Sequence, residues 1–344
     1  VVFTQAYSPS SSTRQTIRAL FTGVYPSLSP APSTRRWSLS LRDKQATLAE
    51  RLATTGYHTF AVVGARGTFM SHKNALRGFM NVDLLPAKVW EVQHHAAPAH
   101  VERIISHLSD PTAPPAFIWT HMLDTHQHYA PGPHAQRFEG PHKRYKSALH
   151  SVDAALGRLL DFALSPTRRH RTVVIFTADH GQSFGEWGVR AHLHGTTTSA
   201  PETHVPLVVW APQARPQRRE EPVSLLDLYP TVLRLAGLPA PAWSCGADLG
   251  PALFEGAPPS PRGLFLEQAP DHSEEHLAFS WIEGGERLDE RPLSAQWALN
   301  PVGAWAEPPA APIPEAAARR QALRARARAH MVRVGLDPAR YLLD

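Results

Sequence analysis

Thr172-Val173-Val174-Ile175-Phe176-Thr177-Ala178-Asp179-His180-Gly181 reads as a buried strand that runs without interruption into a polar turn. Its six opening residues are β-branched or aromatic with no helical spacing, as in a strand covered on both faces. In open α/β sheets the ligand lies beyond the carboxyl ends of the strands, so the acid, imidazole and glycine that follow are placed for chemistry. The strand-like run 116–120 ends in the same way, at His121. Residues 58–63 form a third such strand, and helix-like segments at 47–54, 101–108 and 145–164 alternate with them. In the last helix Leu149, Val152, Leu156, Leu159 and Leu160 share one face. This alternation predicts the α/β class, a mostly parallel central sheet with helices on both faces.

Further along, 205–210 reads as a strand, 212–222 as an exposed Arg- and Pro-containing loop, and 224–236 as a helix closed by Gly237 and Pro239. Beyond Ala240 the character changes: strands at 263–267 and 277–282, a Pro-rich stretch, then an Arg-rich terminal helix at 315–334. The expected organisation is a catalytic domain over 1–240 and a small C-terminal subdomain over 241–344. The Arg residues of the last helix suit a solvated face or an acidic partner.

The 344 residues are 42% hydrophobic, enough to bury a substantial core. Thirty-five Lys and Arg against 30 Asp and Glu give +5, spread along the chain, which suits an anionic substrate and predicts no nucleic-acid partner. The single cysteine, Cys245, excludes an intrachain disulfide and a Cys-based zinc site. No apolar run approaches the ~20 residues of a membrane span. The start at Val1 has neither an initiating Met nor a signal-peptide pattern, so a longer parent chain is expected.

Residues 7–23 pass from a Ser/Pro turn, Tyr7-Ser8-Pro9-Ser10-Ser11-Ser12-Thr13-Arg14, into a short helix ended by Gly23. Ser12 or Thr13 reads as an N-cap. The same position lets backbone amides and the helix dipole favour an alkoxide or a bound sulfate or phosphate. Asp179 and His180 form half of a divalent metal site or a structural hydrogen-bonded pair. Two histidine clusters complete the candidates: His121, Asp124, His126 and His128, and His192 with His194, which precede Gly195-Thr196-Thr197.

In order, these segments resemble the sulfatase family of the alkaline-phosphatase superfamily. The resemblance runs from about Phe3 to Pro239, through Thr22-Gly23, Asp124-Thr125-His126, Val152-Asp153-Ala154-Ala155-Leu156-Gly157, Asp179-His180-Gly181, His194-Gly195-Thr196-Thr197, Val205-Pro206-Leu207 and Asp227-Leu228-Tyr229-Pro230-Thr231. It implies that Thr13, ten residues before Gly23, is the nucleophile and touches the metal. It also implies that Asp179 and His180 hold one divalent ion (Ca, Mn, Mg or Zn), that His126 is the acid and that His194 holds the ester oxygens. Arg14 and His128 are expected to contact substrate. Classical members carry Cys-x-Pro-Ser-Arg where this chain has Thr13-Arg14-Gln15-Thr16-Ile17, so no formylglycine is expected. The resemblance further implies metal-binding carboxylates on a strand upstream of Val1 and a periplasmic or extracytoplasmic parent with a possible membrane anchor there. The expected activity is hydrolysis of sulfate or phosphate esters. The alternatives are phosphoryl transfer to lipid or glycan head groups and an inactive module with this fold.

Overall fold

A computed structural model describes residues 1–28, 45–64, 76–85, 96–126, 129, 138–186, 191–268, 277–303 and 314–342. In chain order its first elements are β1 (Val2–Tyr7), α1 (Thr13–Thr22), α2 (Leu48–Ala53), β2 (His58–Val63), β3 (Asn81–Leu84), α3 (Ala96–Leu108), β4 (Ala116–His121), α4 (Lys143–Ala163) and β5 (Val174–Thr177). There follow α5 (Ala200–Thr203), β6 (His204–Trp210), β7 (Arg218–Arg219), β8 (Val223–Ser224), α6 (Leu228–Leu235), β9 (Leu264–Gln268), β10 (Ala278–Glu283), β11 (Glu286–Arg291), β12 (Gln296–Pro301) and α7 (Pro314–Val334). The chain forms two units, one of residues 1–30 with 174–344 and one of residues 31–173.

In the first unit a five-stranded sheet runs in the order β5-β6-β1-β7, with β8 also on β1. β6 is antiparallel to both β5 and β1, so β5 and β1 point the same way. Alternate residues of β6, Val205, Leu207 and Val209, face a core with Phe3, Ala6, Val223, Leu225 and Leu253, the half-buried period-2 pattern of a strand. This topology places the site, because the exits of β5 and β1 and the entry of β6 all meet at one end of the sheet. Thr177 pairs with Leu207, and Tyr7 with His204.

The same unit carries an antiparallel sheet, β12-β11-β10-β9. Leu323, Ala327 and Met331, four residues apart on α7, pack with Phe265, Phe279, Trp281 and Leu288 of this sheet. The arginines of α7 are not simply solvated: Arg319, Arg320 and Arg326 pair with Glu286, Glu290 and Glu283 of β10 and β11 or the turn between them. The acidic partner considered for this helix therefore lies in its own chain.

In the second unit β3, β2 and β4 form a parallel sheet, with His58 opposite Ala116 and Val63 opposite His121. α3 lies against α4, β2 and β4, and α2 against β2. Thr47 and Glu50 make a reciprocal capping box at the start of α2.

The α/β class stands, with mixed pairing: the sheet of the second unit is parallel and that of the first largely antiparallel. The stretch 212–222 is more than a loop, since β7 lies within it and β8 directly after it, and both pair with β1. The helix expected at 224–236 opens as a 3-10 turn, Leu225–Asp227, before α6, because Ser224 and Asp227 cap each other. Among the described residues no helix is long and apolar enough to cross a membrane.

Candidate functional site

Three segments of the first unit converge at the shared sheet end. Thr13 opens α1, and its Oγ1 lies 3.0 Å from His180 Nε2. Asp179 Oδ2 lies 3.4 Å from the same nitrogen. The rings of His180 and His194 are 4.4 Å apart and tilted by 30°. The tautomer of His180 follows from its other nitrogen: Nδ1 is 2.8 Å from the Gly181 carbonyl oxygen, which can only accept, so Nδ1 carries the proton. In the neutral ring the lone pair then sits on Nε2, the nitrogen beside Thr13 and Asp179, as in metal-ligating and base-forming histidines.

Ser12 occupies the cap position in extended conformation, yet its side chain makes no capping bond, and the first turn of α1 contains no acid. The positive end of the helix is left to whatever anion reaches Thr13. The turn before it is tied by side-chain hydrogen bonds. Ser8 Oγ contacts the Ser10 carbonyl at 2.6 Å and Thr16 Oγ1 at 2.9 Å, and Ser10 Oγ lies 2.8 Å from Gln15 Oε1. Ser10 and Ser11 both reach Gln268 Oε1 at 3.1 Å, and Ser11 Oγ donates to the Thr197 carbonyl.

The turn carrying Asp179 and His180 is held against α5. Gly181 N donates to the Glu202 carbonyl at 2.8 Å and Gln182 N to that of Pro201 at 2.9 Å. Gly181 is needed for that approach, since a Cβ there would sit 2.1 Å from Pro201 O. His194 is oriented by Gln182, whose Oε1 lies 3.2 Å from Nδ1. The loop after His194 is tied to Glu202. This fully buried carboxylate accepts from Thr196 Oγ1 at 3.0 Å, Thr197 Oγ1 at 2.9 Å and both backbone amides. Burial pushes its carboxyl above the usual range, and the threonine hydrogen bonds oppose that rise.

A carboxylate oxygen, an imidazole lone pair and a hydroxyl within one contact sphere fit a divalent ion of the oxygen- and nitrogen-binding kind. They supply part of a coordination shell: among the described residues no group of three or more His, Cys, Asp or Glu side chains converges.

The other expected residues are placed as follows by their own elements. Arg14 follows Thr13 on α1, half-buried, and its carbonyl receives Arg18 Nε at 3.2 Å. His126 belongs to the second unit, in a bend after β4 where its N–H donates to Leu123 O at 3.0 Å. Asp124 is buried there and accepts from Ala97 N at 3.2 Å, capping the first turn of α3. His121 stacks on Trp119 at 5.9 Å. His128 lies outside the described residues. Gln182, Glu202 and Gln268 were not singled out from sequence, because isolated amides and acids with no metal-like spacing give no signal. The only hint was the density of threonines after His194.

A protein-family model described as Sulfatase matches residues 1–238. An uncharacterised sulfatase of Escherichia coli (strain K12), YidJ, is 32% identical over 126 residues, 37% of this chain and 24% of that protein. Arylsulfatase K of Gallus gallus is 32% identical over 33% of this chain and 21% of its own length. The chain thus covers no more than 24% of either relative. Arylsulfatase A of Bos taurus is 28% identical over 89% of this chain and 73% of its own. One similar solved structure, in complex with its substrate D-glucosamine-2-N,6-O-disulfate, has a TM-score of 0.75 at 14% identity, covering 97% of this chain and 90% of the other. The phosphonate monoester hydrolase SpPMH from Silicibacter pomeroyi has a TM-score of 0.71 at 16% identity, covering 96% and 88%. At these identities the likeness concerns the fold alone.

Proposed function

This chain belongs to the sulfatase family, and from that premise we propose that it hydrolyses sulfate esters through a covalent intermediate on Thr13. The observation that carries the reading is the 3.0 Å contact between Thr13 Oγ1 and His180 Nε2, at the uncapped start of α1. The solved neighbour that holds a sulfated glucosamine makes a sugar sulfate a suitable substrate to try.

Thr13 gives its proton to solvent water and its oxygen attacks sulfur in line, while the bond from sulfur to the ester oxygen breaks and the departing alkoxide takes a proton from solvent. The sulfuryl group is carried on Thr13 until water attacks sulfur and breaks the bond from sulfur to the Thr13 oxygen, a proton of that water restores the hydroxyl, and sulfate leaves. The α1 N-terminus favours both the alkoxide and the sulfuryl oxygens. His194, oriented by Gln182 through Nδ1, faces the same space, and with its ring doubly protonated its Nε2 donates to those oxygens.

The family generally uses a divalent metal ion. Asp179, His180 and Thr13 are the residues that would hold it here, and such an ion supplies a lowered hydroxyl pKa and charge neutralisation.

The test is turnover of 4-nitrophenyl sulfate and of D-glucosamine-2-N,6-O-disulfate by the wild type and Thr13→Ala. A loss of ~10³-fold or more in kcat is expected for a nucleophile. Turnover by Thr13→Ala at the wild-type rate would remove Thr13 from the mechanism. Metal analysis of Asp179→Asn, with less bound divalent ion expected, tests the ligand assignment separately.

A further inference from the structure

Residues 194–199, which carry His194, form no helix or strand, so their position depends on what grips them. Glu202 is one grip, close in sequence. The other comes from the antiparallel sheet. The Thr198 carbonyl accepts from Arg287 Nη2, from Thr203 Oγ1 at 2.9 Å and from Ser280 Oγ at 3.1 Å. Ser280 Oγ also lies 2.7 Å from Thr198 Oγ1.

Arg287, on β11, is 1% exposed. Both oxygens of Asp289 hold its Nε, at 2.8 and 3.0 Å, and its Nη2 also meets Thr203 Oγ1 at 3.0 Å. Its guanidinium stands 5.3 Å over the ring of Tyr7. Tyr7 ends β1 and feeds the turn that leads to Thr13, so one buried cation touches the supports of both His194 and Thr13.

A buried ion pair is a poor device for stability alone, because desolvating the charges offsets much of their attraction. What it supplies is direction: a planar donor fixed by a carboxylate on one side and aimed at one carbonyl on the other. We infer that Arg287, locked by Asp289, is a positioning residue that sets the His194 loop relative to the Thr13 turn. This rests on the reading of Thr13 and His194 as the reacting centre.

The experiment uses the full chain with Arg287→Lys, with the double variant Arg287→Met and Asp289→Leu, and with Thr13→Ala as the reference for the centre. The double variant removes both charges, a change that buried pairs often tolerate in stability. Two readouts are taken: kcat and KM on 4-nitrophenyl sulfate, and amide hydrogen exchange. In the double variant, kcat is expected to fall by ~10- to 100-fold with KM within about twofold, since small misplacements act on the chemical step. Exchange at the amides of residues 196–198 is expected to rise by at least about tenfold while β9 and β10 keep their protection. Arg287→Lys is expected to recover part of both, because an ammonium can reach the Thr198 carbonyl but cannot also hold Asp289 in the same plane.

Unchanged kcat and unchanged exchange in the double variant overturn the inference. So does a uniform rise in exchange across the antiparallel sheet, which marks a merely structural role. If the double variant does not fold, Arg287→Lys decides by the same two readouts. Wild-type turnover by Thr13→Ala defeats the reading of the centre, and absent turnover in the wild type leaves the kinetics silent. In both cases the exchange at residues 196–198 alone decides whether Arg287 holds the loop.

Discussion

Replacing Gly181 by alanine would put a methyl carbon 2.1 Å from the Pro201 carbonyl oxygen, a backbone atom that cannot swing aside. The turn carrying Asp179 and His180 must then move off α5. Gly181→Ala is expected to cost ~1–3 kcal/mol, the usual range for overpacking, and to reduce turnover more than a stability loss of that size would. Urea midpoints and kcat measured on the same preparations check both parts. At this scale the sequence was informative where chemistry is dense. Asp179-His180-Gly181 after an apolar strand was legible as a pair at a strand end, and Thr13 as a hydroxyl at a helix start. Glu202 and Arg287 were not, because their roles depend on partners that adjoin them only after folding: the Thr198 carbonyl lies 89 positions from Arg287.

Among the elements, α2 shows how local chemistry marks a boundary. Thr47 Oγ1 accepts from Glu50 N at 3.0 Å, and Glu50 Oε2 accepts from Thr47 N at 2.8 Å. Thr47→Ala removes one side of that exchange and is expected to destabilise the second unit by ~1 kcal/mol, read as a shift in its denaturant midpoint. Thr47→Ser should restore most of it. This helix and β2 were readable to within a residue or so, since capping and apolar runs are local signals. α3 begins five residues before its expected start, because Pro98 sits in the first turn, where a missing N–H costs nothing, and does not end the helix. β1 carries no clear strand signal: its six residues alternate imperfectly, and a register irregularity between Phe3 and Ala6 breaks the period. β11, Glu286–Arg291, is mostly charged and was passed over, although Arg287 and Asp289 are buried there as a pair.

Over the whole molecule, each unit holds a buried imidazole kept neutral. Burial, helped by His121, pushes His100 down to about 4. His330, 2.9 Å from Tyr25 Oη, is likewise pushed down to about 4 by burial and by Arg333 and Arg262. In the unfolded chain both take a proton as pH falls through 6.5, while the folded chain refuses it until about 4. Their stabilisation is therefore present above pH 6.5 and is lost progressively between 6.5 and 4, on the order of 3 kcal/mol for each histidine. Urea unfolding between pH 4 and 7 should show that slope, and His330→Phe should flatten the part due to the first unit. The pairing of β1 bears on the making of the protein. Val2 of β1 pairs with Val208 of β6, and β7 and β8 come later still. During synthesis β1 and the residues around Thr13 are made well before β6, the strand on which β1 pairs. A nascent chain that ends before His194 has the threonine but not the loop that faces it, so the reactive arrangement forms only after the segments carrying Thr13, His180 and His194 have all been made.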